Sequence, residues 1–146
     1  MTDASLPRVL FVCVENSNRS QMAEAFARMH GAGVVEPYSA GSRPSGAVNP
    51  RALEAMKERG YDLTRHRSKS LQDVPQDPYA AVVTMGCGDA CPWIPAARRE
   101  DWDLPDPKNM APDEFRSVRD DIERRVLALL ADIREGRTIP SAGGVT

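Results

Sequence analysis

The chain has 146 residues, 41% hydrophobic and 27% charged, with a net charge of −2. That length suits one domain over residues 1–146 with a real core, and residues 136–146 read as a flexible tail. No apolar run reaches the roughly 20 residues of a membrane span, and a slightly acidic chain has no electrostatic footprint for nucleic acid.

The N-terminus lacks a basic stretch followed by an apolar one, so no secretory leader is expected. A cytoplasmic, reducing setting follows, and three cysteines there read as chemistry before structural bridges. Neither a cofactor nor nucleic-acid or membrane partners are expected, and the chain reads as a monomer.

After a polar lead, residues 8–12 read as a strand, apolar almost throughout as in a central parallel strand. A helix follows, with Met22, Phe26 and Met29 on one face and Gly31 as its stop. A second strand is expected over 34–39, then a loop over 40–44. Asn49 as N-cap, Pro50 at the first helical position and Val48 stapling Leu53 open the next helix. Leu53 and Met56 would face inward, and Gly60 would close it. The basic run from Arg65 to Lys69 reads as a solvated edge, followed by a short helix near 71–74. A third strand is expected over 80–84, a short fourth near Trp102, and a long final helix with Phe115, Val118, Ile122, Val126, Leu129 and Ile133 on one face. Alternating strands and helices give an α/β fold: one domain in three layers, a mostly parallel four-stranded sheet flanked by helices. Loops after the strands, carrying Cys13, Cys87 and Asp106, should converge on one side, where such sheets bind ligands.

The turn between the first strand and first helix reads Cys13-Val14-Glu15-Asn16-Ser17-Asn18-Arg19-Ser20. A strand-to-helix turn of this kind aims successive backbone N–H groups into one concavity at the positive end of the helix dipole. Val14, Glu15, Asn16, Ser17, Asn18 and Arg19 form the expected oxyanion-binding loop. Arg19 adds a two-pronged contact to two anion oxygens. Cys13 is the expected nucleophile, because thiolates are favoured beside arginine at a helix N-terminus. Ser20 could donate to the sulfur. The plainer alternative, a buried structural cysteine, accounts for neither the arginine nor the serine.

The other cysteines stand in Gly86-Cys87-Gly88-Asp89-Ala90-Cys91. Zinc would need further ligands, and Cys13, His30 and His66 stand at no recognisable spacing for it. The flanking glycines instead let the segment move. On one helical turn the two cysteines share a face near the upper limit of disulfide reach, so a bridge is possible with local unwinding.

Cys-x5-Arg-Ser between a first strand and a first helix resembles the phosphate loop of the low-molecular-weight tyrosine phosphatase fold. The longer string through Gln21-Met22-Ala23-Glu24 resembles the arsenate reductases built on that fold. The phosphatases usually carry a second cysteine where this chain has Asn18. The resemblance implies that Cys13 attacks arsenate, that Cys87 then attacks Cys13 to release arsenite, and that Cys91 draws the disulfide onto itself for reduction by thioredoxin. The Cys87–Cys91 spacing is shorter than the commonest one in that group.

Asp106-Pro107 resembles the family's general-acid motif, so Asp106 would protonate the leaving oxygen; Asp77-Pro78 is a second copy that reads as a simple turn. Lys108 and Asn109 follow where phosphatases place tyrosines. By the same resemblance Asn16 braces the loop, and Asn16, Glu24 and Ser39 match three ligands of a potassium site that some of these reductases have. Lys69 lies where a further carboxylate would be expected, so its ammonium is expected to replace the ion. Two other functions remain open from sequence: a phosphotyrosine phosphatase with protective cysteines, and a non-enzymatic oxyanion or redox sensor.

Overall fold

The computed structural model describes residues 6–76, 78–86 and 94–136. Its sheet is four-stranded and wholly parallel: β1 Arg8–Cys13, β2 Glu36–Gly41, β3 Tyr79–Thr84 and β4 Ala96–Asp101, in the order β2-β1-β3-β4. Among the described residues three α-helices accompany it: α1 Arg19–His30, α2 Pro50–Lys57 and α3 Pro112–Arg134. The parallel α/β class is as expected.

β1 is central because both its faces are apolar. Val9, Phe11 and Cys13 join one core with Phe26 of α1, Met56 of α2 and Ile122, Val126 and Leu129 of α3. Leu10 and Val12 join a smaller cluster with Val74, Tyr79 and Val82, flanked by Leu71 and Ile94. Each fully buried Leu, Phe or Met contributes about 1.5–3 kcal/mol, so β1 and α1 anchor the domain.

α2 starts as its local grammar dictates. Asn49 accepts from the Arg51 N–H at 2.8 Å, and Pro50 occupies the first helical position. Its inner face is corrected: Ala52, Ala55 and Met56 are buried, whereas Leu53 is half-buried at the rim. Small residues let α2 approach the core closely and push the bulkier leucine outward. β2 runs two residues later than expected, through Ala40 and Gly41, because its register against β1 pairs Gly41 with Cys13.

β4 lies ahead of Trp102, and its sequence, Ala-Ala-Arg-Arg-Glu-Asp, is polar. An edge strand can be so because only one residue points fully inward. Arg98 is that residue, and it pairs with Glu100 and, at 2.8 Å, with Asp132 of α3. β4 leads through buried Trp102 and Leu104 to Asp106. Among the described residues no helix is long and apolar enough to cross a membrane.

Candidate active site

The turn from β1 to α1 folds inside out relative to an ordinary loop. Its carbonyl oxygens are drawn outward: Val14 accepts from Arg43 N–H at 2.8 Å, Glu15 from Ser45 N–H at 3.0 Å, Ser17 from Asn49 N–H at 3.0 Å, and Asn18 from Met22 N–H at 3.0 Å. Ser68 Oγ also donates to the Glu15 carbonyl at 2.9 Å. Among the described residues, the N–H groups of Glu15, Asn16, Ser17 and Asn18 have no acceptor. Successive unsatisfied amides beside a helix N-terminus form an anion-binding concavity.

Two features make this shape possible. Asn16 takes a left-handed φ of 50°, which asparagine tolerates better than most residues. Gly41 has no side chain where a Cβ would lie 2.5 Å from the Val14 carbonyl and 3.0 Å from the Asn16 nitrogen.

Side chains then lock the loop. Asn16 Nδ2 donates to Ser20 Oγ at 2.8 Å, which leaves the serine hydrogen free to point at Cys13 Sγ, 2.9 Å away. Asn16 Oδ1 accepts from Gln21 Nε2 at 2.9 Å and from Lys69 N–H at 2.8 Å. Gln21 Nε2 also donates to the Arg67 carbonyl at 2.8 Å, so Gln21 Oε1 is an acceptor. His66 Nδ1 donates to it at 2.9 Å, and His66 Nε2 takes the Tyr61 hydroxyl at 2.6 Å. Burial holds the His66 imidazole below its usual range, in keeping with this neutral form.

The basic run is solvated at Arg65 and Arg67, as expected, but is not only a solvated edge. Its backbone at Arg67 and Lys69 and its His66 ring clamp the loop from behind, while Ser68 pins its rim. These braces, Gln21 apart, stand outside the loop string and were invisible in it, because contacts across 45 or more residues leave no local pattern.

The cavity in front measures about 370 Å³ and is lined by Cys13, Val14, Glu15, Ser17, Asn18, Arg19, Gly86, Leu104 and Asp106. Arg19 Nη1 donates to the Leu104 carbonyl at 3.0 Å, which fixes the guanidinium at the cavity wall. Asp106 stands exposed at the rim, its carboxylate accepting from Lys108 N–H at 3.0 Å. Lys108 Nζ lies 3.8 Å from the carboxylate of Glu15, one of the lining residues. The structure thus brings together Cys13, the loop, Arg19, Ser20 and Asp106. Cys87, Cys91 and Asp77 lie outside the described residues, although Gly86, adjoining Cys87 in the chain, lines the cavity.

A model of the family described as low molecular weight phosphotyrosine protein phosphatase matches residues 8–138. The chain belongs to this family. Within it, the chain is 39% identical over 131 residues to the glutaredoxin arsenate reductase of Synechocystis sp., covering 88% of this chain and 99% of that one. It is 41% identical over 119 residues to an arsenate reductase of Staphylococcus aureus, covering 79% and 89%. Among solved structures, an arsenate reductase in the phosphate binding state aligns with a TM-score of 0.80 at 38% identity, over 88% of this chain and 99% of that one. A Corynebacterium glutamicum thioredoxin-dependent arsenate reductase aligns with a TM-score of 0.76 at 32% identity, over 93% of this chain and 66% of that one.

One substitution probes how this family's loop is held here. Gly86 has φ 73°, and a Cβ there would lie 2.8 Å from Arg19 Nη1 and 2.9 Å from the Leu104 carbonyl that anchors it. Gly86→Ala should push the guanidinium off its anchor and lower kcat/KM for the oxyanion substrate about ten- to a hundredfold, the worth of a charge-assisted contact. Steady-state kinetics checks this, and an unchanged kcat/KM would show that Arg19 tolerates the displacement.

Proposed function

We propose that the protein reduces arsenate to arsenite, with the cupped amides and Arg19 closing over Cys13 as the observation that carries the reading. Its relatives named as arsenate reductases, matched over most of both chains, support it. The concavity holds a tetrahedral oxyanion, and Ser20 steadies the sulfur as thiolate. Cys13 Sγ attacks arsenic(V); the S–As bond forms, an As–O bond breaks, and Asp106 supplies the proton with which that oxygen leaves as water. Cys87 thiolate then attacks Cys13 Sγ. The S–S bond forms, arsenic keeps the electron pair of the broken S–As bond, and arsenite departs. Attack by Cys91 on Cys87 frees Cys13 and leaves a Cys87–Cys91 disulfide for an external dithiol.

Thioredoxin is the proposed donor, a role supported by the thioredoxin-dependent Corynebacterium relative; the Synechocystis relative bears the name of glutaredoxin. The test is NADPH consumption with arsenate, run in parallel with thioredoxin and its reductase and with glutathione, glutaredoxin and glutathione reductase. Turnover is expected with the first couple. Turnover confined to the second would reassign the donor, and none with either would remove the proposed activity.

Lys69 is proposed to stand where related reductases hold potassium. Glu24 is buried, takes the Ser39 hydroxyl at 2.6 Å, and has Lys69 Nζ at 3.7 Å and Arg28 at 2.8 Å. Burial pulls the Lys69 pKa down while Glu24 opposes it, and Arg28 and Lys69 together take the place beside the carboxylate that an added cation would need. These residues fit that ammonium better than an added ion. Replacing choline chloride with potassium chloride at constant ionic strength should leave kcat/KM unchanged, and an increase would refute the substitution.

A further inference from the structure

Asp106 lines the Cys13 cavity from residues 103–109, a stretch that belongs to no sheet strand and no α-helix. A carboxyl transfers its proton well only when it is held within hydrogen-bond reach of the leaving oxygen. The bond Asp106 makes to the Lys108 N–H, at 3.0 Å, lies within its own turn and ties that turn to nothing else. Among the described residues, two hydrogen bonds run from the helices to residues 103–109, and both join an arginine to a backbone carbonyl. Arg19 Nη1 of α1 donates to Leu104 at 3.0 Å, and Arg51 Nη1 of α2 donates to Lys108 at 3.1 Å. Asp106 stands midway, two residues from each anchor. The ion pair of Lys108 with Glu15, at 3.8 Å, has both side chains about half exposed and is too solvated to fix a position.

Arg51 is placed to relate this turn to the anion loop. It belongs to the first turn of α2, whose N-cap Asn49 donates its own N–H to the Ser17 carbonyl of the loop at 3.0 Å. One helical turn thus holds both parts of the site, the loop by its main chain and the acid turn by the Arg51 side chain. The guanidinium is braced in turn. Its central carbon lies 5.5 Å from the centroid of the Phe115 ring, which is buried near the start of α3 and limits the swing of the side chain.

We propose that Arg51 is a positioning residue for proton transfer, setting through the Lys108 carbonyl where Asp106 stands relative to the bound oxyanion. Arg51 does not line the cavity, so it acts through Asp106 and not on the substrate. The inference rests on the reading of Asp106 as the acid of arsenate reduction.

The experiment is a double-mutant cycle of Arg51→Met with Asp106→Asn, read as the rate of arsenite formation in a single turnover of the reduced protein. Methionine keeps an apolar stem on Phe115 and removes the donor. Arg51→Met should slow arsenite formation about tenfold, part of the 10²–10⁴ that a positioned acid supplies, and by less than about twofold once Asp106 is Asn. Arg51→Lys, which keeps a donor on a similar stem, should recover part of the rate. Protection of Cys13 from iodoacetamide by inorganic sulfate should match wild type in the Arg51 variants, since the loop amides and Arg19 are untouched. A purely structural role would weaken that protection, lower the melting temperature and slow both backgrounds alike. That pattern, or an unchanged rate in Arg51→Met, would overturn the positioning role and leave Asp106 as the acid. Asp106→Asn forming arsenite as fast as wild type would remove the acid reading and this inference with it.

Discussion

Cys13→Ser should lower arsenate reduction on the order of 10⁴-fold, the scale on which removal of a nucleophile from a preorganised site acts. The geometry makes serine a poor replacement. Ser20 Oγ lies 2.9 Å from Sγ with its hydrogen unused by Asn16 and free to point at the sulfur. An alcohol would stay protonated there and could not form a disulfide. Binding should survive, because the amides and Arg19 remain. The check is a paired measurement on one preparation, NADPH-coupled turnover and binding of sulfate by calorimetry. Lost turnover with retained binding is the expected pair; residual activity within tenfold of wild type would place the nucleophile elsewhere.

Asp132→Ala should destabilise the fold by about 3–5 kcal/mol, because it strands the Arg98 guanidinium inside the protein. Both side chains are buried, and Arg98 Nη1 reaches Asp132 Oδ2 at 2.8 Å across the gap between β4 and α3. Glu100 still pairs with Arg98, so the effect falls toward the lower part of that range. For a chain of 146 residues this corresponds to a fall in Tm of about 10 °C. The double change Arg98→Met with Asp132→Leu should recover most of it, since a buried pair is often no better than well-packed apolar residues. Denaturant unfolding of the three variants checks both statements. A single-mutant loss below about 1 kcal/mol would mean that the pair is solvated in practice. The effect reaches the site as well, because β4 delivers Leu104, which anchors Arg19, and Asp106, which stands at the cavity rim.

β4 is also where the sequence was hardest to read. β1, α1 and α3 carry their periodicity openly, and Asn49-Pro50 announces α2, so all four elements stand close to where pattern and capping place them. β4 has no such pattern. It lies at the sheet edge and satisfies its one inward position with an arginine whose partners stand beside it and on α3. No alternation of apolar and polar residues survives that arrangement. The run from Arg65 to Lys69 was only half legible for a related reason: Arg65 and Arg67 are exposed as expected, and the rest is not. Its charges face a polar cavity of about 530 Å³, while one backbone carbonyl, one backbone amide and one imidazole hold the β1–α1 turn. Charge in a sequence reports on side chains, and here the backbone does much of the positioning. That Cys13, Arg19 and Ser20 stand together was legible because they share one strand-to-helix turn, and Asp106, placed by the resemblance, lines the same cavity.

The most direct test of the central claim is a single turnover of the fully reduced protein with arsenate and no reductant. Arsenite released and free thiols remaining are both measured, and the disulfide is mapped by mass spectrometry. The account predicts one arsenite per chain, loss of two thiols, and a Cys87–Cys91 bridge that becomes a trapped Cys13–Cys87 bridge in Cys91→Ser. Hydrolysis of an aryl phosphate through Cys13, with no arsenite formed and every thiol retained, would contradict it.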